Sequence, residues 1–349
     1  MREPHLDSNP PILDALGRPL RSVRISVTDR CNLRCQYCMP EEDYAWLPRK
    51  EVLSFEEIAQ LADLFIDFGV RKIRLTGGEP LLRHNLPELV RLLAAGGRLQ
   101  ELALTTNGLL LARFARDLRD AGLQRINVSL DTLQSERFFA LTKTRSHAAV
   151  LEGLNAAREA GFINIKVNSV IVRHFNDDEV ADLVAFGRRE SAEVRFIEYM
   201  DVGGATRWSM DQVVPAAEIV ARVEKHFGPA STEPAPAGAP AQRFRLADGT
   251  VFGVIASTTQ PFCKSCDRGR LTLDGVWFQC LYATRGINLK ALLRGGASRE
   301  VIANTVARAW QARTDRGAEW RRQLPERGVL FPVAELRKDP HREMHTRGG

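Results

Sequence analysis

The sequence has no run of apolar residues long enough to cross a bilayer, and its first 20 residues hold no apolar core of the kind a secretory leader needs. Both absences lead us to expect a cytoplasmic chain with no membrane partner, where thiols stay reduced and clustered cysteines read as ligands rather than bridges. A large charge excess is also missing. Against 43 acidic side chains stand 49 basic ones, a net charge of +6, which fits an anionic small molecule at least as well as nucleic acid, and no nucleic-acid partner is expected. Cysteine is scarce too, at six residues, and none is isolated: they fall at 31, 35 and 38 and at 263, 266 and 280. A single cysteine is usually a small buried hydrophobe. Six gathered in two trios are not explained that way. Neither trio has a fourth cysteine or an adjacent histidine, so each is one donor short of a structural zinc site, although zinc at the second trio stays open as an alternative. A 4Fe-4S cluster held by three thiolates leaves one iron open to another ligand.

What is present is ordinary for a soluble globular protein, with 44% hydrophobic and 26% charged residues. A chain of 349 residues is enough for one large domain with an appendage. Short Ile/Val/Leu-rich runs near 21–28, 71–76, 101–106, 125–130, 163–172 and 192–200 alternate with helix-period stretches near 54–69, 85–95, 109–122, 147–161 and 177–189. Ser54 with Glu57 three residues on is a capping box. The alternation predicts an α/β fold with a parallel sheet, doubly wound or curled into a barrel, and no other repeat is visible. Either arrangement puts the ligand site at the carboxyl ends of the strands. There lie the first cysteines, TGGEP at 76–80, TTNG at 105–108, SLD at 129–131 and YMDVGG at 199–204. Residues 228–242 are Pro, Ala and Gly rich and read as an exposed linker, followed by a hairpin turning at Asp248 and Gly249. The expected division is a tail at 1–20, a barrel at 21–227, the linker, and a C-terminal region at 243–349.

Cys31-x3-Cys35-x2-Cys38, with Tyr37 before the last cysteine and Gly77-Gly78-Glu79-Pro80 one strand later, resembles the signature of radical S-adenosylmethionine (SAM) enzymes. Cys263-x2-Cys266-x13-Cys280, with Arg268-Gly269-Arg270 between its cysteines, is similar to the GTP 3′,8-cyclases of molybdenum cofactor biosynthesis. The resemblance implies a partial (β/α)6 radical SAM barrel whose C-terminal extension carries a second iron-sulfur cluster. It implies two 4Fe-4S clusters, one binding SAM and one binding substrate, with Cys31, Cys35, Cys38, Cys263, Cys266 and Cys280 as ligands. SAM contacts would fall on Tyr37, Gly78, Glu79, Ser129 and Met200. GTP contacts would fall on Arg24, Arg74, Thr105, Lys166 and Arg268, Gly269, Arg270. Catalytic roles would go to Arg268 and Arg270 and to the terminal Gly348 and Gly349, similar to a family tail that reaches the active site. The implied chemistry is a 5′-deoxyadenosyl radical that takes H3′ from GTP, after which C3′ closes onto C8. Implied partners are an external electron donor, a second copy in a homodimer, and cyclic pyranopterin monophosphate synthase as the next enzyme. Another twin-cluster radical SAM enzyme, such as a peptide-modifying maturase, and a zinc-dependent nucleic-acid-binding module are the competing readings.

Overall fold

The computed structural model describes residues 10–41, 43–234 and 238–348. Six βα units run as expected: β1 Ser22–Ser26, α1 Phe55–Asp67, β2 Lys72–Thr76, α2 Leu86–Ala94, β3 Glu101–Thr106, α3 Leu111–Asp120, β4 Arg125–Ser129, α4 Ser135–Thr142, α5 His147–Glu159, β5 Lys166–Ile171, α6 Val180–Arg189, β6 Glu193–Glu198 and α7 Ala216–Phe227. The capping box at the start of α1 is complete, with the Ser54 hydroxyl accepting from the Glu57 N–H at 3.2 Å and the Glu57 carboxylate accepting from the Ser54 N–H at 2.7 Å. The fifth strand starts later than the sequence predicts, because Ile163 is exposed and Asn164 takes a left-handed conformation. Helix α4 is short and uncapped and has no counterpart in the sequence reading.

The C-terminal part adds β7 Ser231–Glu233, β8 Gln242–Arg245, β9 Val251–Ile255, β10 Arg268–Leu271, β11 Val276–Phe278 and β12 Ile287–Asn288, then α8 Leu289–Arg294, α9 Arg299–Gln311, α10 Gly317–Arg322, α11 Val333–Lys338 and α12 Met344–Arg347. All twelve strands form one sheet, ordered β12-β11-β10-β1-β2-β3-β4-β5-β6-β9-β8-β7. β10 pairs parallel with β1 and β9 parallel with β6, so the C-terminal strands extend both edges of the partial barrel. The hairpin at Asp248 and Gly249 joins β8 to β9, with Gly249 at φ +86°. Helices cover the outer face around one core that runs from Leu20 to Trp310.

Two segments depart from their expected roles. Residues 228–242 were expected to be an exposed linker, yet β7 within them pairs with β8, and Gly238 to Ala241 turn back onto the interior cavity; residues 235–237 lie outside the described residues. Of the expected N-terminal tail, Asp14, Arg18 and Leu20 are buried and Leu13 bridges to Pro19. Composition marked 228–242 as a linker and 1–20 stood as a tail before the first strand, and neither reading registers what a segment packs against. Among the described residues no helix is long and apolar enough to cross a membrane.

Candidate active site

Strand alternation builds the site. Side chains two apart on a strand share a face, and the register sets them side by side: Arg270 on β10 pairs with Arg24 on β1, which pairs with Arg74 on β2. One step toward the strand starts, Arg268, Ser22, Lys72 and Glu101 form a parallel row. On the other side Lys166 stands between Asn127 and Glu193, and Asn168 pairs with Arg195. These residues line one cavity of about 620 Å³, within the roughly 300–1,000 Å³ common for ligand sites.

The cations in it are poorly compensated. Burial, then the neighbouring Arg270, Arg74 and Arg268, lowers the Arg24 guanidinium well below its ordinary value. Burial lowers Arg74 and Arg270 to about 10 each, opposed at Arg74 by Glu101, with which it pairs at 3.5 Å. Lys166 falls to about 7, through burial first and then repulsion from Arg195. A protein that buries this much positive charge against so few carboxylates is arranged to receive an anion. The amide oxygens of Asn127 and Asn168, on the same wall, have no hydrogen-bond partner among the described residues, leaving two acceptors for a ligand.

At the carboxyl ends of the strands, Cys31, Cys35 and Cys38 line the same cavity. Burial pushes the Cys31 thiol up to about 11, and burial with mutual repulsion raises Cys35 and Cys38 further. Three half-buried thiols that resist ionising without a cation are a donor set suited to iron. The backbone turns through Cys35, whose carbonyl accepts from the Cys38 and Met39 N–H groups at 3.0 and 2.8 Å.

Among the residues expected to hold SAM, Tyr37, Gly78, Ser129 and Met200 line this end of the cavity. The Tyr37 hydroxyl donates to Asp131 at 2.7 Å. Gly78 has a backbone reason to lack a side chain: a Cβ there would lie 2.2 Å from the Arg30 carbonyl oxygen. The neighbouring hydrogen bonds from Gly78 N–H to Thr28 and from Glu79 N–H to Arg30, at 2.9 and 2.7 Å, tie this turn to the start of the cysteine loop. Glu79 is absent from the cavity wall. Its carboxylate accepts from the Thr106 hydroxyl and the Leu81 and Asn107 N–H groups at 2.7, 3.0 and 2.7 Å, bracing one strand end against the next, while burial raises it to about 7.

Of the GTP candidates, Arg24, Arg74, Thr105, Lys166, Arg268 and Arg270 line the cavity and Gly269 does not. Alternation turns Gly269 to the opposite face, where a Cβ would meet the Trp277 indole nitrogen at 2.5 Å. Lys72, Arg125, Arg195 and Arg243 also face the cavity and were missed. The signal was in the sequence, since Lys72 stands two before Arg74 and Arg125 two before Asn127, but it needed the register to become visible. Gly348 is buried against Thr76, and its carbonyl accepts from Arg270; Gly349 lies outside the described residues.

The second trio stands just behind the wall. Phe262, Asp267, Arg268 and Leu281, its sequence neighbours, line the cavity, whereas Cys263, Cys266 and Cys280 do not. Burial raises the Cys263 and Cys280 thiols. At Cys266 burial is outweighed by the Arg268 and Arg313 guanidiniums, and its thiol is lowered. Cys280 helps raise the Cys263 thiol and is itself raised by Cys266, so the three lie near enough to feel one another, and their chemistry also fits an iron-sulfur cluster. Among the described residues no three Cys, His, Asp or Glu side chains gather tightly enough to hold a single ion. A cluster asks for one thiolate on each of several irons rather than several donors on one ion.

A family model described as Radical SAM superfamily matches residues 25–187, and one described as Molybdenum Cofactor Synthesis C matches 192–319. A GTP 3′,8-cyclase of Mycobacterium bovis is 53% identical over 97% of this chain and 91% of its own. One from Acidothermus cellulolyticus is 52% identical over 89% of each chain, and one from Staphylococcus aureus 42% identical over 89% of this chain and 93% of its own. The Streptococcus suis SuiB structure bound to S-adenosylmethionine shares the fold at a TM-score of 0.60 and 16% identity, covering 88% of this chain and 68% of that one. These cyclases match this chain over most of its length, at 42% identity or more, and the chain belongs to the GTP 3′,8-cyclase family of radical SAM proteins.

Proposed function

We propose that this chain converts GTP to (8S)-3′,8-cyclo-7,8-dihydroguanosine 5′-triphosphate, the first step of molybdenum cofactor biosynthesis. The observation that carries this reading is the in-register row Arg270, Arg24 and Arg74, which faces the same cavity as Cys31, Cys35 and Cys38. Cys31, Cys35 and Cys38 would hold a 4Fe-4S cluster, which with SAM would supply the radical chemistry that no side chain can furnish.

The chain's own residues do the rest. The arginine row and Lys166 hold the triphosphate, since planar guanidinium forks and a lysine point charge offset its negative charges. Tyr37, Gly78, Ser129 and Met200 shape the SAM end, and Glu79 acts through position, keeping the Gly77–Gly78 turn against the cysteine loop. Cys263, Cys266 and Cys280, behind the wall that Arg268 and Arg270 form, would hold a second 4Fe-4S cluster. Gly348 orients Arg270 through its carbonyl. An external reductant supplies the electron, the chain works as a homodimer in the cytoplasm, and the product passes to cyclic pyranopterin monophosphate synthase.

Anaerobic incubation of the reduced protein with SAM and GTP tests the reading. Cyclised nucleotide and GTP-dependent 5′-deoxyadenosine are expected, with about eight irons and no zinc per chain. Equal 5′-deoxyadenosine without GTP, or release only with a peptide, would refute the substrate.

A further inference from the structure

The N-terminal segment, which composition marks as a tail, ends in a buried charge cluster that the proposed chemistry leaves unused. Asp14, Arg18 and Arg313 are 6%, 2% and 3% exposed. The Asp14 carboxylate accepts from Arg18 twice, from its backbone N–H at 2.8 Å and its Nε at 2.6 Å, and stands 3.5 Å from Arg313 Nη1. Both guanidiniums then turn to the second cysteine trio. Arg18 Nη1 donates to the carbonyl of Cys263 at 2.9 Å and to that of Asp315 at 2.7 Å. Arg313 Nη1 donates to the carbonyl of Cys266 at 3.0 Å, and its Nη2 lies 3.5 Å from the Cys266 sulfur. Trp310 locks the pair, donating its indole N–H to the Arg18 carbonyl at 3.2 Å and stacking under Arg313 at 4.5 Å.

We propose that Asp14, Arg18 and Arg313 form a clamp that sets the Cys263–Cys266 backbone and donates a hydrogen bond to the Cys266 sulfur, so that the N-terminal segment belongs to the second cluster's site. The proposal rests on the two-cluster reading above. Its physical content is twofold. Guanidiniums holding carbonyls of two ligand residues fix the loop before metal arrives, as outer groups do at other metal sites. A charged N–H on a ligand sulfur, from a guanidinium held by the buried Asp14 and, at 4.0 Å, by the more exposed Asp315, stabilises the more negative reduced cluster and raises its potential. The three side chains are positioning residues, since none lines the substrate cavity.

The test uses the full chain with Cys31, Cys35 and Cys38 changed to Ser, so that the second trio alone binds iron. Iron content, the electron paramagnetic resonance spectrum of the reduced cluster and its midpoint potential are measured with and without Arg313→Lys, Arg313→Gln and Arg18→Gln. Arg313→Lys keeps the charge but not the fork; it is expected to keep its iron while its spectrum changes and its potential falls. Arg313→Gln, losing the charge as well, is expected to fall further, with several-fold less reduced cluster at the potential where the parent is half reduced. Arg18→Gln is expected to lower iron content without altering the spectrum of the cluster that forms. A parent that binds no iron overturns the two-cluster reading and the clamp with it. A parent with normal iron, whose Arg313→Lys variant matches it in spectrum and potential, overturns the clamp alone.

Discussion

At the scale of single residues, the site depends on a glycine that has no room for a side chain and a lysine that has lost part of its charge. A methyl group on Gly78 would sit 2.2 Å from a backbone carbonyl that cannot rotate away, so Gly78→Ala should cost about 1–3 kcal/mol of overpacking and loosen the cysteine loop. A lower melting temperature of the apo-protein and weaker SAM binding are expected; unchanged values for both would remove the close approach as the reason for glycine. Lys166 gives a pH prediction. Its pKa is depressed to about 7 by burial and by Arg195, with Arg125 acting in the same sense and Glu193 and Glu101 opposing. A triphosphate favours the ammonium form, so below pH 7 this group adds no slope. Above pH 7 binding must take up a proton, and GTP affinity should fall by up to about tenfold per pH unit. Lys166→Arg should flatten that slope in a titration of Kd from pH 6.5 to 8.5, and an equal slope in the variant would assign the effect to another group.

At the scale of elements, the tail helix α12 closes the arginine row. Arg347 lies over the Phe278 ring at 4.3 Å and donates to the Leu281 carbonyl at 2.8 Å, which brings Gly348 to Arg270. Arg347→Ala should free this end, raising KM for GTP several-fold while SAM binding holds; an unchanged KM together with unchanged proteolysis of the C-terminus would exclude the tail from the site. The elements also show what the sequence could reveal. The six βα units were legible because each strand carries its own apolar run and each helix its own period, and the cysteine trios because their spacing is local. Lys72, Arg125 and Arg195 were not, because a charge on a strand looks solvated until the register sets Lys72 beside Glu101, Arg125 beside Ala103 and Arg195 beside Asn168. Gly269 and Glu79 sit within recognised motifs, yet one faces away from the cavity and the other is spent on Leu81, Thr106 and Asn107. Motif membership located the neighbourhood but not the direction in which each side chain points.

At the scale of the molecule, the expected barrel at 21–227 and C-terminal region at 243–349 do not separate cleanly, because the strands of one complete the sheet of the other. β10 covers the open edge of β1 through four register pairs from Ser22–Arg268 to Ile25–Leu271, and β9 covers β6 from Val194–Phe252 to Ile197–Ile255. Arg270 of the arginine row, and Arg268 beside it, arrive on the covering strand. A chain ending at Phe227 would therefore expose two edges of a parallel sheet, and unpaired parallel edges are sites of aggregation. It would also uncover Val23 and Ile25, now fully buried between helices and sheet. The full chain should melt in one cooperative transition whichever probe is used, and the truncated chain should precipitate or lose its transition. A soluble truncated chain with a cooperative transition of its own would show instead that residues 21–227 fold independently and that the C-terminal strands only complete the cavity wall.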